Sequence, residues 1–217
     1  MKKINIIYED KEILVVDKEP KQLTIATDKK ERNTLYSEAR EYVKKQFPKN
    51  KIFIVHRLDR DTSGLVLFAK NEQKKIKLQN NWDKVKREYY AIVEGHLNKK
   101  RDTLKHYLIE TSTLDVYVTK DPKKGKLAIT EYEVLKENNK YSLLKINIKT
   151  GRRNQIRASL SEIGHPILGD KKYSNKKSNR LYLHAYLLEY KDKDKIYNFT
   201  TKYPKEFNNI ICYNNIE

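Results

Sequence analysis

The sequence predicts an α+β fold, a mixed and mainly antiparallel sheet with flanking helices. Three observations point there. Short apolar or alternating runs recur along the whole chain, several of them joined by turns too short to hold a crossover helix. Only a few segments carry the three-to-four spacing of an amphipathic helix. A strict strand–helix–strand repeat is absent. A length of 217 residues suits one large domain or two small ones. We read residues 1–217 as a single domain, divided at most into two lobes, with the basic stretch 95–106 as the best place for a boundary.

Residues 4–8 and 13–17 read as two short strands. Residues 34–46 carry Leu35, Ala39, Tyr42, Val43 and Gln46 at helical spacing, and Pro48 stops that helix. Residues 52–55 and 65–69 are continuous apolar runs of strand length, separated by the polar turn 56–64. Residues 71–82 read as a helix and 88–94 as a strand. The Lys- and Asn-rich stretches 95–106, 120–126, 171–180 and 191–195 read as loops. Strands are expected at 113–119, 128–135 and 141–149, the last alternating at Leu144, Ile146 and Ile148. Residues 155–163 form a short helix ended by Gly164 and Pro166. Residues 181–190 and 195–200 pair as a hairpin around 191–194.

Composition narrows the function classes. Lys and Arg number 47 against 29 Asp and Glu, a net charge of +18. Such an excess points to a polyanionic partner. The lone Cys212 excludes a disulfide framework and a cysteine-rich zinc site, and fits a reducing compartment. No stretch approaches the ~20 apolar residues of a membrane helix. The first ten residues begin like a leader but meet Glu9 after too short an apolar run. A cytoplasmic protein without membrane association is expected.

Familiar cofactor motifs are missing. There is no GxGxxG and no GxSxG. The Gly164-to-Gly169 spacing is followed by Asp170, which would repel a phosphate. The five histidines show no paired ligand spacing. Chemistry without metal, nucleotide or other cofactor is the simplest expectation. Two segments concentrate unusual residues. One is Val55-His56-Arg57-Leu58-Asp59-Arg60-Asp61-Thr62-Ser63-Gly64, a loop between two apolar strands. Its acids and arginines suit a carboxylate held by charge-assisted hydrogen bonds. A plain structural turn explains it equally well, and spacing does not choose between Asp59 and Asp61. The other is Thr150-Gly151-Arg152-Arg153-Asn154-Gln155-Ile156-Arg157, a strand-to-helix junction whose arginines suit a phosphate or carboxylate clamp. Alone, it reads as a solvated basic helix start.

Together the two segments change the reading. HRLDRDTSGLVLFAKN and TGRRNQIRASL, the latter followed by IGHPILGD, resemble the two signature motifs of the RluA-type pseudouridine synthases. Arg87-Glu88-Tyr89-Tyr90-Ala91-Ile92-Val93-Glu94-Gly95 is similar to that family's basic-x-Tyr strand. RLYLHAYLLEY and the opening IIYEDKEILVVDK match in order as well, so the resemblance covers nearly the whole chain. Two departures stand out. The early Lys-Pro-x-Gly turn reads Lys18-Glu19-Pro20-Lys21, so that turn must be built differently. The usual Thr-His before Gln-Ile-Arg is Arg153-Asn154. No S4 RNA-binding domain is expected, which leaves RNA capture to the charge of the catalytic domain.

The resemblance implies the pseudouridine synthase fold with a central RNA-binding cleft. It implies isomerisation of uridine to pseudouridine in rRNA, tRNA or both, by a monomer. It makes Asp59 the catalytic carboxylate, Arg157 the arginine that pairs with it, and Tyr89 the active-site tyrosine. Arg57 would fill the gap left by a flipped base. Arg60, Arg152 and Arg153 are the further RNA-binding candidates, and His56 supports the loop from behind. Two rival classes remain. A catalytically silent RNA-binding protein gains nothing from an acid among arginines. A metal-dependent nuclease needs a carboxylate cluster, whereas the conspicuous acids here are flanked by Arg57 and Arg60.

Overall fold

A computed structural model describes residues 4–26 and 33–212. The charged start weighed as a leader, residues 1–3, lies outside them. The chain divides into two compact units, Met1–Val85 with Ala185–Thr201, and Lys86–His184 with Lys202–Glu217. The division falls at Val85, ahead of the 95–106 stretch expected to hold it.

In the first unit, β1 (Asn5–Glu9) and β2 (Ile13–Lys18) form a hairpin. Asp10 closes its turn by accepting the backbone N–H groups of Glu12 and Ile13 at 2.7 and 2.8 Å. β2 pairs antiparallel with β4 (Ser63–Ala69), and the two-residue β3 (Phe53–Ile54) also pairs with β4. β10 (Leu183–Asp192), which belongs to this unit from Ala185 onward, neighbours β4 and turns back into β11 (Lys195–Thr200). Ile13–Val16 and the whole of β4 are buried, which is why these segments read as unbroken apolar runs rather than alternating ones.

α1 (Leu35–Gln46) starts at Thr34, whose hydroxyl and Ser37 form a reciprocal capping box. Leu35, Ala39 and Val43 bury one stripe, and Phe47 turns extended because the residue before Pro48 is driven out of the helical region. α2 (Glu72–Asn80) is capped by the Asn71 side chain. It ends before the expected residue 82. The Asn81 amide takes the Lys77 carbonyl at 3.0 Å, and a 3-10 turn (Trp82–Lys84) follows.

In the second unit the strand order is β5 (Lys86–Glu94), β9 (Tyr141–Ile148), β8 (Lys126–Glu137), β6 (Arg101–Glu110), β7 (Val116–Thr119), every neighbour antiparallel. β6 corrects the loop expected at 95–106. Its exposed face carries Arg101, Thr103 and Lys105, while Leu104 and Leu108 are buried, so a one-sided strand reads as a charged loop. α3 (Gln155–Glu162) packs Ala158 against Leu108, Val116 and Ala128. A helix absent from the sequence reading, α4 (Lys205–Cys212), buries Phe207 and Ile211. Among the described residues no helix is long and apolar enough to cross a membrane.

His184 is 2% exposed, and burial together with the nearby Arg180 charge pushes its pKa down to about 3. Between that value and the ordinary histidine range the unfolded chain binds a proton that the folded chain refuses. Stability is therefore held above pH ~6.5 and lost as the pH falls. Chemical denaturation should find the fold about 2 kcal/mol less stable at pH 5 than at pH 7 from this group. His184→Gln should remove that part of the slope, and an unchanged slope would assign the acid sensitivity elsewhere.

Candidate active site

The Asp59 loop is fixed from behind by two side chains, Lys18 at the end of β2 and Thr24 in the segment after it. Lys18 is 1% exposed, and its ammonium donates to the carbonyls of Glu19, Gln22 and Arg60 at 2.9, 2.7 and 3.0 Å. Three carbonyl acceptors offset the cost of burying that charge. Thr24 is also buried. Its hydroxyl donates to the Leu58 carbonyl at 2.9 Å and accepts the Leu58 N–H at 3.2 Å. Leu58 and Arg60 are thus both anchored, and Asp59 sits between them with its own carbonyl accepting the Thr62 N–H at 3.2 Å. Arg57 and Arg60 are exposed, and Asp59 and Asp61 half-buried.

His56 stacks on Trp82 at 4.3 Å, and its Nε2 accepts the Leu67 N–H at 3.0 Å. That bond ties the base of the loop to β4. Gly64 has φ +113°, and a Cβ there would fall 2.1 Å from the Ala185 carbonyl oxygen. The glycine of this motif is therefore a packing requirement of β4 against β10.

The altered turn is built on Lys21, which takes φ 64° directly after Pro20. Turns that begin with proline commonly give this left-handed position to glycine. Lys21→Gly should raise stability by about 1 kcal/mol, since a side chain in that region is strained. Thermal melts would show it, and a lowered melting point would mean that the Lys21 side chain itself stabilises the turn.

In the second unit, register sets which tyrosine shares a face with α3. Tyr89 lies opposite Ile146, Ile146 opposite Tyr132, and Thr130 is two residues from Tyr132 on β8. Directly opposed residues point to one side of a sheet. Gln155, at the start of α3, donates to Thr130 Oγ1 at 3.0 Å, so Tyr89 is on the α3 face. Tyr90 is on the other face, edge-on to Tyr203 at 5.2 Å.

Gln155 is 3% exposed and ties the arginine loop to β8. Its Oε1 accepts from the Thr150 hydroxyl and the Arg152 N–H at 2.7 and 3.0 Å, and its amide also donates to the Ile129 carbonyl at 3.0 Å. Gly151 leaves room for the buried Arg87 guanidinium, which would stand 2.8 Å from a Cβ at this position. Arg152 reaches back to the Leu127 carbonyl at 3.1 Å, and Arg153 pairs with the exposed Glu110 at 3.2 Å. An exposed pair of this kind is worth at most ~1 kcal/mol, so it yields easily to a phosphate.

Arg157 is held at all three guanidinium nitrogens. Asp170, fully buried, takes its Nε at 2.7 Å and its Nη2 at 2.8 Å in a fork. Asn154 Oδ1 accepts from Nη1 at 3.0 Å, and the Tyr173 ring lies 5.4 Å from the guanidinium carbon. Arg57, Asp59 and Arg60 thus share one loop of the first unit. Arg152, Arg153 and Arg157 share the start of α3 in the second, with Tyr89 on the same sheet face. The sequence reading missed Lys18, Thr24, Gln155 and Asp170 as supports. Lys18, Gln155 and Asp170 stood in segments it had quoted, but none was given this role, and Thr24 stood in none.

Residues 12–162 match the family model described as RNA pseudouridylate synthase. An uncharacterized RNA pseudouridine synthase of Helicobacter pylori is 40% identical over 159 residues, which cover 71% of this chain and 63% of that protein. Ribosomal large subunit pseudouridine synthase C of Buchnera aphidicola is 34% identical over 212 residues, 88% of this chain and 65% of the relative. The chain therefore spans less than two thirds of the length of these relatives. The solved human RNA pseudouridylate synthase domain containing 4 superposes with a TM-score of 0.80 over 94% of this chain and 90% of its own, and at 20% identity it shows a shared fold.

Proposed function

Because the chain belongs to the RNA pseudouridylate synthase family, we propose that it isomerises uridine to pseudouridine within RNA. The observation that carries this reading is the extent of the family match. It spans the Asp59 loop, the Tyr89 strand and the Gln155-Ile156-Arg157 helix start.

In this reading the N1–C1′ bond breaks, the uracil turns over, and C5 bonds to C1′. The C5 hydrogen leaves as a proton and N1 gains one, so the reaction is redox-neutral and runs without nucleotide, metal or other cofactor. Asp59 is the carboxylate that acts at the reacting nucleoside. Its rigid setting between anchored neighbours supports that role, because a reacting group gains most from a fixed position. Tyr89 offers an aromatic face to the flipped uracil and a hydroxyl for hydrogen bonding. Arg157 serves the catalytic carboxylate. Arg57 takes the place of the flipped base, and Arg60, Arg152 and Arg153 meet phosphates.

Relatives named as ribosomal large subunit pseudouridine synthases C and D make large-subunit rRNA the first substrate to test. The enzyme works as a monomer in the cytoplasm, a reducing compartment that fits the lone Cys212. The test is to map pseudouridines in total RNA with and without the gene. At least one large-subunit rRNA site should vanish with it. Loss confined to tRNA would move the substrate, and an unchanged map would overturn the reading.

A further inference from the structure

We propose that Asn154 is a positioning residue for Arg157, an acceptor at Nη1 that fixes how the guanidinium is tilted. This rests on the reading that Arg157 serves the catalytic carboxylate. Asn154 occupies the N-cap position of α3, where Ser, Thr, Asp and Asn normally take an extended backbone and accept an N–H of the first turn. It does neither. Its backbone is left-handed, φ 49° and ψ 20°, and its side chain makes no cap hydrogen bond. The side chain is turned to Arg157 instead, with Oδ1 at 3.0 Å from Nη1. A residue that gives up a helix cap and takes a strained conformation to reach one guanidinium points to a function for that contact.

The geometry gives the reason. Asp170 holds Nε and Nη2, one edge of the guanidinium, through two nearly parallel bonds. A fork of this kind fixes distance well but allows the plane to rock about the shared edge. Nη1 is the corner farthest from that edge, and an acceptor there stops the rocking. Tyr173 flanks the ring face at 5.4 Å.

The left-handed backbone supplies an unusually clean test. Glycine adopts φ 49° without strain, so Asn154→Gly deletes the acceptor without harming the fold. Rates are measured on a 5-tritiated transcript of large-subunit rRNA, with melting temperature in parallel. Asn154→Gly should lose roughly tenfold in kcat, with KM within about twofold and melting temperature unchanged or higher. Asn154→Asp, which restores an oxygen at the same reach and tolerates the same backbone, should recover most of that loss. Wild-type kcat in Asn154→Gly overturns the proposal. A loss of kcat matched by a lower melting temperature also overturns it, because Asn154 would then be a fold determinant. Arg157→Lys keeps the two readings apart. If it turns over like wild type, the role given to Arg157 has failed. If it is inactive while Asn154→Gly is not, only the role given to Asn154 has.

Discussion

Asp59→Asn should fold and bind RNA like the wild type yet release tritium from 5-tritiated RNA at least roughly 10³-fold more slowly. That is the scale on which losing a group aimed at the reacting atoms registers. Amide and carboxylate have nearly the same shape, and the loop is anchored on either side of this residue. Leu58 is held by Thr24, and Arg60 by Lys18. The side chain can therefore change while the backbone stays. Asp61→Asn is the matched control, since Asp61 is equally half-buried and two residues away in the same loop. It should keep most of the rate. The reverse pattern, with Asp61→Asn inactive and Asp59→Asn active, would transfer the catalytic role to Asp61.

Gly64→Ala should be the most damaging small substitution in the same motif, and for a different reason. The new methyl would lie 2.1 Å from the Ala185 carbonyl oxygen and 2.6 Å from its nitrogen, and both are backbone atoms of the neighbouring strand. Neither can swing aside as a side-chain tip would. Adding the left-handed φ of +113°, the cost should exceed about 4 kcal/mol, the range reserved for overpacking and backbone strain combined. Melting should fall by about 8–16 °C, if the variant is soluble at all. Gly164→Ala separates the two contributions. Gly164 has φ +84° but nothing within 4 Å of its Cβ position, so it pays for conformation alone, about 1 kcal/mol. Equal effects at the two glycines would show that the clash at Gly64 relaxes.

Much of the architecture is legible in the sequence where one residue pattern has one physical cause. Ile13–Val16 of β2 and the whole of β4 are buried, so they stand out as apolar runs. α1 shows its cap at Thr34, its buried stripe and its stop at Pro48. β6 is hidden because only one side of it meets the core, and its other side carries Arg101 and Lys105 as a loop would. α4 has just two buried residues, Phe207 and Ile211, and an amphipathic signal that short is easily passed over. At the candidate site the division is similar. Asp59 and the arginines are conspicuous because charged residues crowd a loop between apolar strands. Their supports are not, because the partners are far apart along the chain. Lys18 meets Arg60 across 42 residues, and Thr24 meets Leu58 across 34. Asp170 meets Arg157 across 13, and there the sequence suggests only a misplaced charge in a phosphate loop. Asn154 reads as a departure from a motif until its left-handed backbone and its bond to Arg157 are seen.

Rearrangement of uridine in RNA by this chain can be read from tritium release. Total RNA is labelled at uracil C5 in cells lacking the gene, so that the target uridines are unmodified. It is then incubated with the purified protein in excess EDTA and without added nucleotide. Tritium should be released to water, matched mole for mole by new pseudouridine in the digested RNA. No release, or release that is restored only by adding a metal ion to RNA already shown to be folded, would contradict that rearrangement.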